Sequence, residues 1–270
     1  MRILPATLLS LIIGDSRWQA DFYDGGRNMQ TRDTEHTGVW EQSVQIPSRA
    51  ALLNGELMIP RGAGGIVLFA HGSGSSRHSP RNQYVARVIR EAGIGTLLFD
   101  LLTAEEEAVD MYTRHLRFDI GLLADRLVDA TKWIEEERRL LGNQTGAQHL
   151  RVGYFGASTG AAAALVAAAR IGESIGAVVS RGGRPDLAGE ALPQVKSPTL
   201  LIVGGADEPV IELNKEAFAR LRCKKEMKII PGATHLFEEP GALEQVAQMA
   251  AAWFAEHLQS QSRTSVASGY

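Results

Sequence analysis

The chain has 270 residues, 44% of them hydrophobic and 22% charged, with a formal net charge of -3. That length suits a single α/β domain whose core needs no staples. So slight a charge offers no basic field to nucleic acid or to an anionic membrane surface, and a single cysteine, Cys223, excludes an internal disulfide and a cysteine-rich zinc site.

The first stretch, "MRILPATLLSLIIG", sets Arg2 before an apolar run, as a signal peptide does. The run is short, Pro5 interrupts it, no A-x-A site follows, and it cannot span a bilayer. A cytoplasmic protein is the expectation, with export the lesser alternative. Met29 offers a second possible start, so residues 1–37 are expected to be a poorly ordered extension, residues 38–259 the folded domain, and the polar stretch 260–270 a disordered tail.

From Val39 to Pro60 apolar and polar residues alternate, with a break at Pro47 to Arg49, which predicts a two-stranded hairpin. "GIVLFA" (65–70) is a short continuous apolar run, the pattern of a strand buried on both faces. A helix follows, with Ser79 as its cap, Pro80 at its first position and Gly93 as its stop. "GTLLFDL", "LRVGYF", "GAVVS", "PTLLIVGG" and "EMKIIPG" then read as strands. They alternate with helices at "RFDIGLLADRLVDATKWIEEERRL", "TGAAAALVAAARI", "IELNKEAFARL" and "GALEQVAQMAAAWFAEHL". Such alternation implies a mostly parallel sheet, here of eight strands, with helices on both faces. The connections from Leu101 to Arg117 and from Ser180 to Pro198 are too short for a separate cap domain. The carboxyl ends of the strands should therefore be open, and sites form there in open α/β sheets.

Ser158 stands at the centre of G-x-S-x-G, between the strand ending at Phe155 and the helix from Thr159. In that context the motif is a strained turn that presents a serine hydroxyl, and Gly156 and Gly160 keep space where strand and helix approach. A plain glycine–serine turn is the bland alternative. A serine needs a base, and the base needs an orienting acid. Asp207 follows the strand "TLLIVGG" and His235 follows "MKIIPG", in the order Ser, Asp, His that an α/β-hydrolase triad requires. Singly, Asp207 reads equally as a helix cap and His235 as a loop residue; Asp186 is the fallback acid. The oxyanion calls for two backbone donors: Thr159, next to the nucleophile, and Ser73, in the glycine-rich loop "AHGSGSSRHSPRN". His71 reads as a brace for that loop.

These motifs resemble the α/β-hydrolase superfamily, and most of all its dienelactone hydrolase-like branch. The resemblance covers roughly residues 38–258 and is carried by "HGSGSSRHSPRN", "GYFGASTGAAAAL", "SRGGRPDL", "LLIVGGADEPV" and "PGATHLF". It implies an α/β-hydrolase fold with Ser158, Asp207 and His235 as the triad. Dienelactone hydrolase itself has a cysteine nucleophile where this chain has Ser158, so the resemblance points to serine esterase-like activity on a small acyl substrate. Arg181, at a strand end beside the site, is placed either to clamp a substrate carboxylate or phosphate or to pair with a neighbouring acid. Arg77 and His78 either line the entrance or point into water. Asp100 reads as a turn former, and "AEEEAVD" as the solvated start of a helix. The seven histidines show neither H-x-x-x-H nor H-E-x-x-H, so no metal and no cofactor is expected. The alternatives are an acyltransferase or a non-catalytic binding protein on the same fold and, further off, nucleotide binding, for which the G-K-[ST] of a phosphate loop is missing. Oligomeric state is not legible.

Overall fold

In the computed structural model, residues 31–34, 38–147 and 149–259 are described, and the expectations for residues 1–28 and for the tail lie outside them. The first described element is a short strand, β1 (Thr31–Thr34), inside the stretch 1–37. The expected hairpin is β2 (Val39–Ser48) and β3 (Ala51–Pro60), paired from Val39 with Pro60 to Ser48 with Ala51. Arg49 takes φ +52° in the two-residue loop, as a tight hairpin turn demands. Along β2, Trp40, Gln42, Val44 and Ile46 are buried on one face while Ser43, Gln45 and Pro47 are exposed, which is the alternation read from the sequence.

Next come β4 (Gly65–Ala70), α1 (Pro80–Glu91), β5 (Gly95–Phe99), α2 (Ala104–Thr113) and α3 (Ile120–Thr145). The second half runs β6 (Arg151–Ala157), α4 (Thr159–Ile171), β7 (Ile175–Arg181), β8 (Thr199–Gly204), α5 (Glu208–Arg220), β9 (Lys225–Ile230) and α6 (Ala242–Leu258). All eight expected strands are present, and among the described residues β1 adds a ninth at one edge. The sheet order is β1-β2-β3-β5-β4-β6-β7-β8-β9. The first three pairings are antiparallel and the remaining five, from β5 to β9, are parallel.

Every residue of β4, β5, β7 and β8 is buried, because helices cover both faces. One face packs Val85 and Ile89 of α1 with Val246 and Phe254 of α6. The other packs α3 and α4, including Leu127, Ala163 and Leu165. The alanines after Gly160 leave α4 narrow enough to be enclosed: Ala161–Ala164, Ala167 and Ala168 are all at 0% exposure. The chain goes from β4 through α1 to β5 on one side, and from β6 through α4 to β7 on the other. Winding therefore reverses between β4 and β6, whose carboxyl ends flank the crevice where α/β sheets hold their sites. The connections Leu101–Arg117 and Ser180–Pro198 carry only α2 and short 3₁₀ turns, with no cap domain. Among the described residues no helix is long and apolar enough to cross a membrane.

Candidate active site

Pairing of Ala70 with Gly156 sets the loop after β4 directly beside the turn after β6. Ser158 occupies that turn at φ +52°, ψ -123°, a region that side chains normally avoid. Packing on every side imposes the strain. A Cβ on Gly156 would overlap the backbone of Ala161, and one on Gly160 would overlap the Ala70 carbonyl. Gly72 is confined too, though less severely, since a Cβ there would lie 2.9 Å from the Ser158 Cβ. The Ser158 N–H donates to the Arg181 carbonyl at 3.3 Å, and the Ser158 carbonyl accepts from Arg184 N–H at 3.0 Å. The turn is thus a rigid feature tied to β7 and to the loop beyond it, and the loose glycine–serine turn does not describe it.

Asp207 caps α5 by position, but its side chain makes no capping bond. Its Oδ2 instead lies 2.7 Å from Nδ1 of His235. The ring's other nitrogen, Nε2, is left for a different partner, and the His235 side chain is 40% exposed. Gly182 joins the two halves of the site: it directly follows Arg181, and a Cβ there would lie 3.0 Å from the His235 carbonyl. Asp186, the fallback acid, is held instead by Arg184, whose Nε and Nη2 donate to its two carboxylate oxygens at 2.9 and 2.7 Å.

Thr159 is the first residue of α4, so its N–H has no acceptor within the helix. The Ser73 N–H lies beside it and donates to Thr159 Oγ1 at 3.1 Å. The two expected oxyanion donors are therefore brought together, with the Ser73 amide resting on the threonine hydroxyl. His71 braces the loop from behind. Its Nε2 accepts from Leu101 N–H at 3.0 Å, and Nδ1 lies 3.0 Å from the Gly72 carbonyl, so the ring is neutral with its proton on Nδ1. Burial holds its pKa below the ordinary value. The far end of the loop is pinned by Asp100, which accepts from the Arg77 N–H at 2.8 Å and pairs with the Arg77 guanidinium. Asp100 is thus a loop anchor, and Arg77 is engaged rather than free at the entrance.

Two features escaped the sequence reading. Glu239 accepts from the N–H and the hydroxyl of Thr234, at 3.0 and 2.6 Å, and so braces the turn that carries His235. A cavity of about 560 Å³ opens between the loop His71–Ser76 and α2, walled by Leu101, Leu102, Met111 and Leu123. The acidic stretch that forms α2 does start a helix, with a capping box between Thr103 and Glu106. Arg181, expected either to pair with an acid or to remain available, is buried, and among the described residues no carboxylate reaches it.

Comparison with known proteins gives the family and the fold. The dienelactone hydrolase family model matches residues 54–260. A crystal structure of dienelactone hydrolase from Anabaena variabilis is 61% identical, with a TM-score of 0.76, over 82% of this chain and 100% of that one. Est1E from Butyrivibrio proteoclasticus shares the fold, with a TM-score of 0.64 at 15% identity over 79% of this chain and 98% of its own. Two curated proteins from strains of Mycobacterium tuberculosis, provisionally named phosphoribosyl transferases, are 56% identical over 218 residues. That match takes in 81% of this chain and 47% of theirs, so the chain spans about half the length of those relatives.

Proposed function

The chain belongs to the dienelactone hydrolase family of α/β hydrolases, and from that premise we propose that it is a serine hydrolase acting on carboxylic esters or related acyl compounds through an acyl-enzyme on Ser158. The observation that carries the reading is the 2.7 Å pairing of Asp207 with His235 at the same sheet end as a serine held at positive φ.

In the proposed cycle, His235 Nε2 takes the Ser158 proton as Oγ attacks the carbonyl carbon. Asp207 keeps the other ring proton on Nδ1 and stabilises the imidazolium. Negative charge gathers on the former carbonyl oxygen, which accepts from the Thr159 N–H at the start of α4, where the helix dipole also favours it. The Ser73 N–H is the second donor, and its bond to Thr159 Oγ1 gives way to, or is shared with, the oxyanion. His235 then delivers its proton to the leaving alcohol. Water attacks the acyl-enzyme with His235 again as base, and the proton finally returns to Ser158. The cavity beside α2 has the size and the apolar wall to take an acyl or alcohol chain.

The transferase name of the mycobacterial relatives belongs to longer proteins, of which this chain matches 47%, and is not carried over. An acyltransferase would share every step except the last, with another acceptor in place of water. Ser158→Ala is expected to abolish both ester turnover and labelling by a fluorophosphonate. Retained labelling in that variant would overturn the assignment.

A further inference from the structure

β9 is an open edge of the sheet. Among the described residues it pairs with β8 alone, and of its six residues only Ile230 is buried. The Lys224 and Ile230 carbonyls accept from the Thr199 and Gly205 N–H groups of the β8 side, at 2.9 and 2.8 Å. Glu226 and Lys228, in step with them, also turn their backbone groups to β8. Lys225, Met227 and Ile229 therefore turn both N–H and carbonyl outward, and among the described residues no strand receives them. Such an edge recruits another strand unless its sequence prevents it.

Side chains alternate across the strand. Ile230 packs into the cluster beneath α6, and Met227 against the cluster on the other face. Glu226 and Lys228 thus share the α6 face, where they pair with each other at 2.9 Å and are 44% and 49% exposed. Lys225 lies on the opposite face, its Nζ donating to the Phe218 and Leu221 carbonyls at the end of α5, both at 2.6 Å.

We propose that β9 pairs antiparallel with β9 of a second copy of this chain, Met227 opposite Met227, and so joins two sheets into one symmetric dimer. Charge selects that register. A pairing centred on Glu226 would set two glutamates face to face, and one centred on Lys228 two lysines, and like charges directly opposite are unfavourable. A pairing centred on Met227 puts Lys225 opposite Ile229, so all three outward residues of each strand exchange N–H···O bonds with the other copy. It also sets Glu226 of each copy opposite Lys228 of the other. Those are positions without backbone bonds, where facing side chains come closest. Lysine on an edge strand ordinarily blocks pairing, but here each Lys228 meets a carboxylate. Ile229, 44% exposed, is then covered by the aliphatic stem of Lys225 from the other copy. Because the strands run in opposite directions, the two candidate active sites point apart and stay open. A ribbon of six residues is a small interface, so the expected dissociation constant is about micromolar.

The test is the mass of the whole chain in solution, followed by analytical ultracentrifugation from about 1 to 100 µM, a range that spans that affinity. A concentration-dependent dimer is expected. Glu226→Lys and Lys228→Glu should each weaken it about 10- to 100-fold, because each lines up four like charges across the two strands. Combining both substitutions in one chain should restore it. An equimolar mixture of the two single variants should form a heterodimer in native mass spectrometry, since one strand then carries only lysines where the other carries only glutamates. Met227→Pro deletes an outward N–H without removing a bond to β8, and should abolish the dimer. If that variant does not fold, the exposed charge variants still decide the matter. Hydrogen exchange at Lys225, Met227 and Ile229 should slow as concentration rises. A chain that stays monomeric throughout overturns the proposal. So does a dimer that ignores both single charge reversals, that fails to re-form in the mixture, or that leaves those three amides unprotected. None of these outcomes depends on whether Ser158 acts as a nucleophile.

Discussion

Asp207 shows that a side chain's direction, more than its position in the chain, decides which partner it meets. By position it caps α5, but its carboxylate leaves the helix to meet His235 at 2.7 Å. Asp186, equally acidic and on an adjacent strand's loop, is taken by Arg184. Asp207→Asn should therefore lower kcat by about 10⁴-fold, because an amide stabilises the wrong histidine tautomer. Asp186→Asn, measured in the same ester assay, should leave kcat within a few-fold of wild type. His71 makes a different kind of prediction. Its Nε2 accepts a hydrogen bond from Leu101, so protonation there would break the brace. Burial lowers its folded pKa below the ordinary 6.5, so between the two values the unfolded chain binds more protons. Stability should fall as pH drops below about 6.5. Urea denaturation at pH 7.5 and pH 5 should show the loss, and His71→Gln should flatten it while being less stable at pH 7.5. Ser158, Asp207 and His235 were legible as candidates because each comes shortly after a strand, with glycine close by. The sequence could not reveal that Arg181 lacks a counter-ion or that Glu239 braces Thr234, since both depend on which loops meet in space.

At the scale of elements, the junction of β6 and α4 positions Ser158, the proposed nucleophile. Strand and helix cross so closely that Gly156, Gly160 and Gly72 have no room for a side chain. Gly160→Ala would force its methyl into the Ala70 carbonyl, at the root of the loop that carries Ser73. The expected cost is about 1–3 kcal/mol of stability, the range for overpacking, with a larger loss in kcat because both oxyanion donors would shift. Thermal melting and ester turnover on the same preparation separate the two effects. A variant with normal activity would show that the loop can move without harm. The elements were readable where an apolar run or an alternation filled them, as in the all-buried β4 and the alternating β2. β1 was not: four polar residues, Thr31–Thr34, have no apolar pattern, and they form a strand only because β2 offers them an edge.

Across the whole molecule, the proposed triad joins regions of unequal protection. Ser158 follows β6, which has neighbours on both sides and is buried at six of its seven residues. His235 follows β9, which pairs with β8 alone and is buried only at Ile230. Ile229, 44% exposed, shows how little cover that edge has. Edge elements with few buried contacts open at lower free energy than the centre of a sheet. The base should therefore be lost before the nucleophile's strand. In a urea titration, ester turnover should decline at a lower concentration than tryptophan fluorescence, which follows global unfolding through Trp40, Trp133 and Trp253. Hydrogen exchange should place the difference: amides of β9 should exchange well before those of Val67–Phe69 and Tyr154. Coincident midpoints for turnover and fluorescence would show instead that the edge opens only with the whole sheet. In that case the bonds holding the His235 turn, from Thr234 to the Glu239 carboxylate and from Ala206 to the Ala233 carbonyl, would be strong enough to bind β9 into the core's cooperative unit.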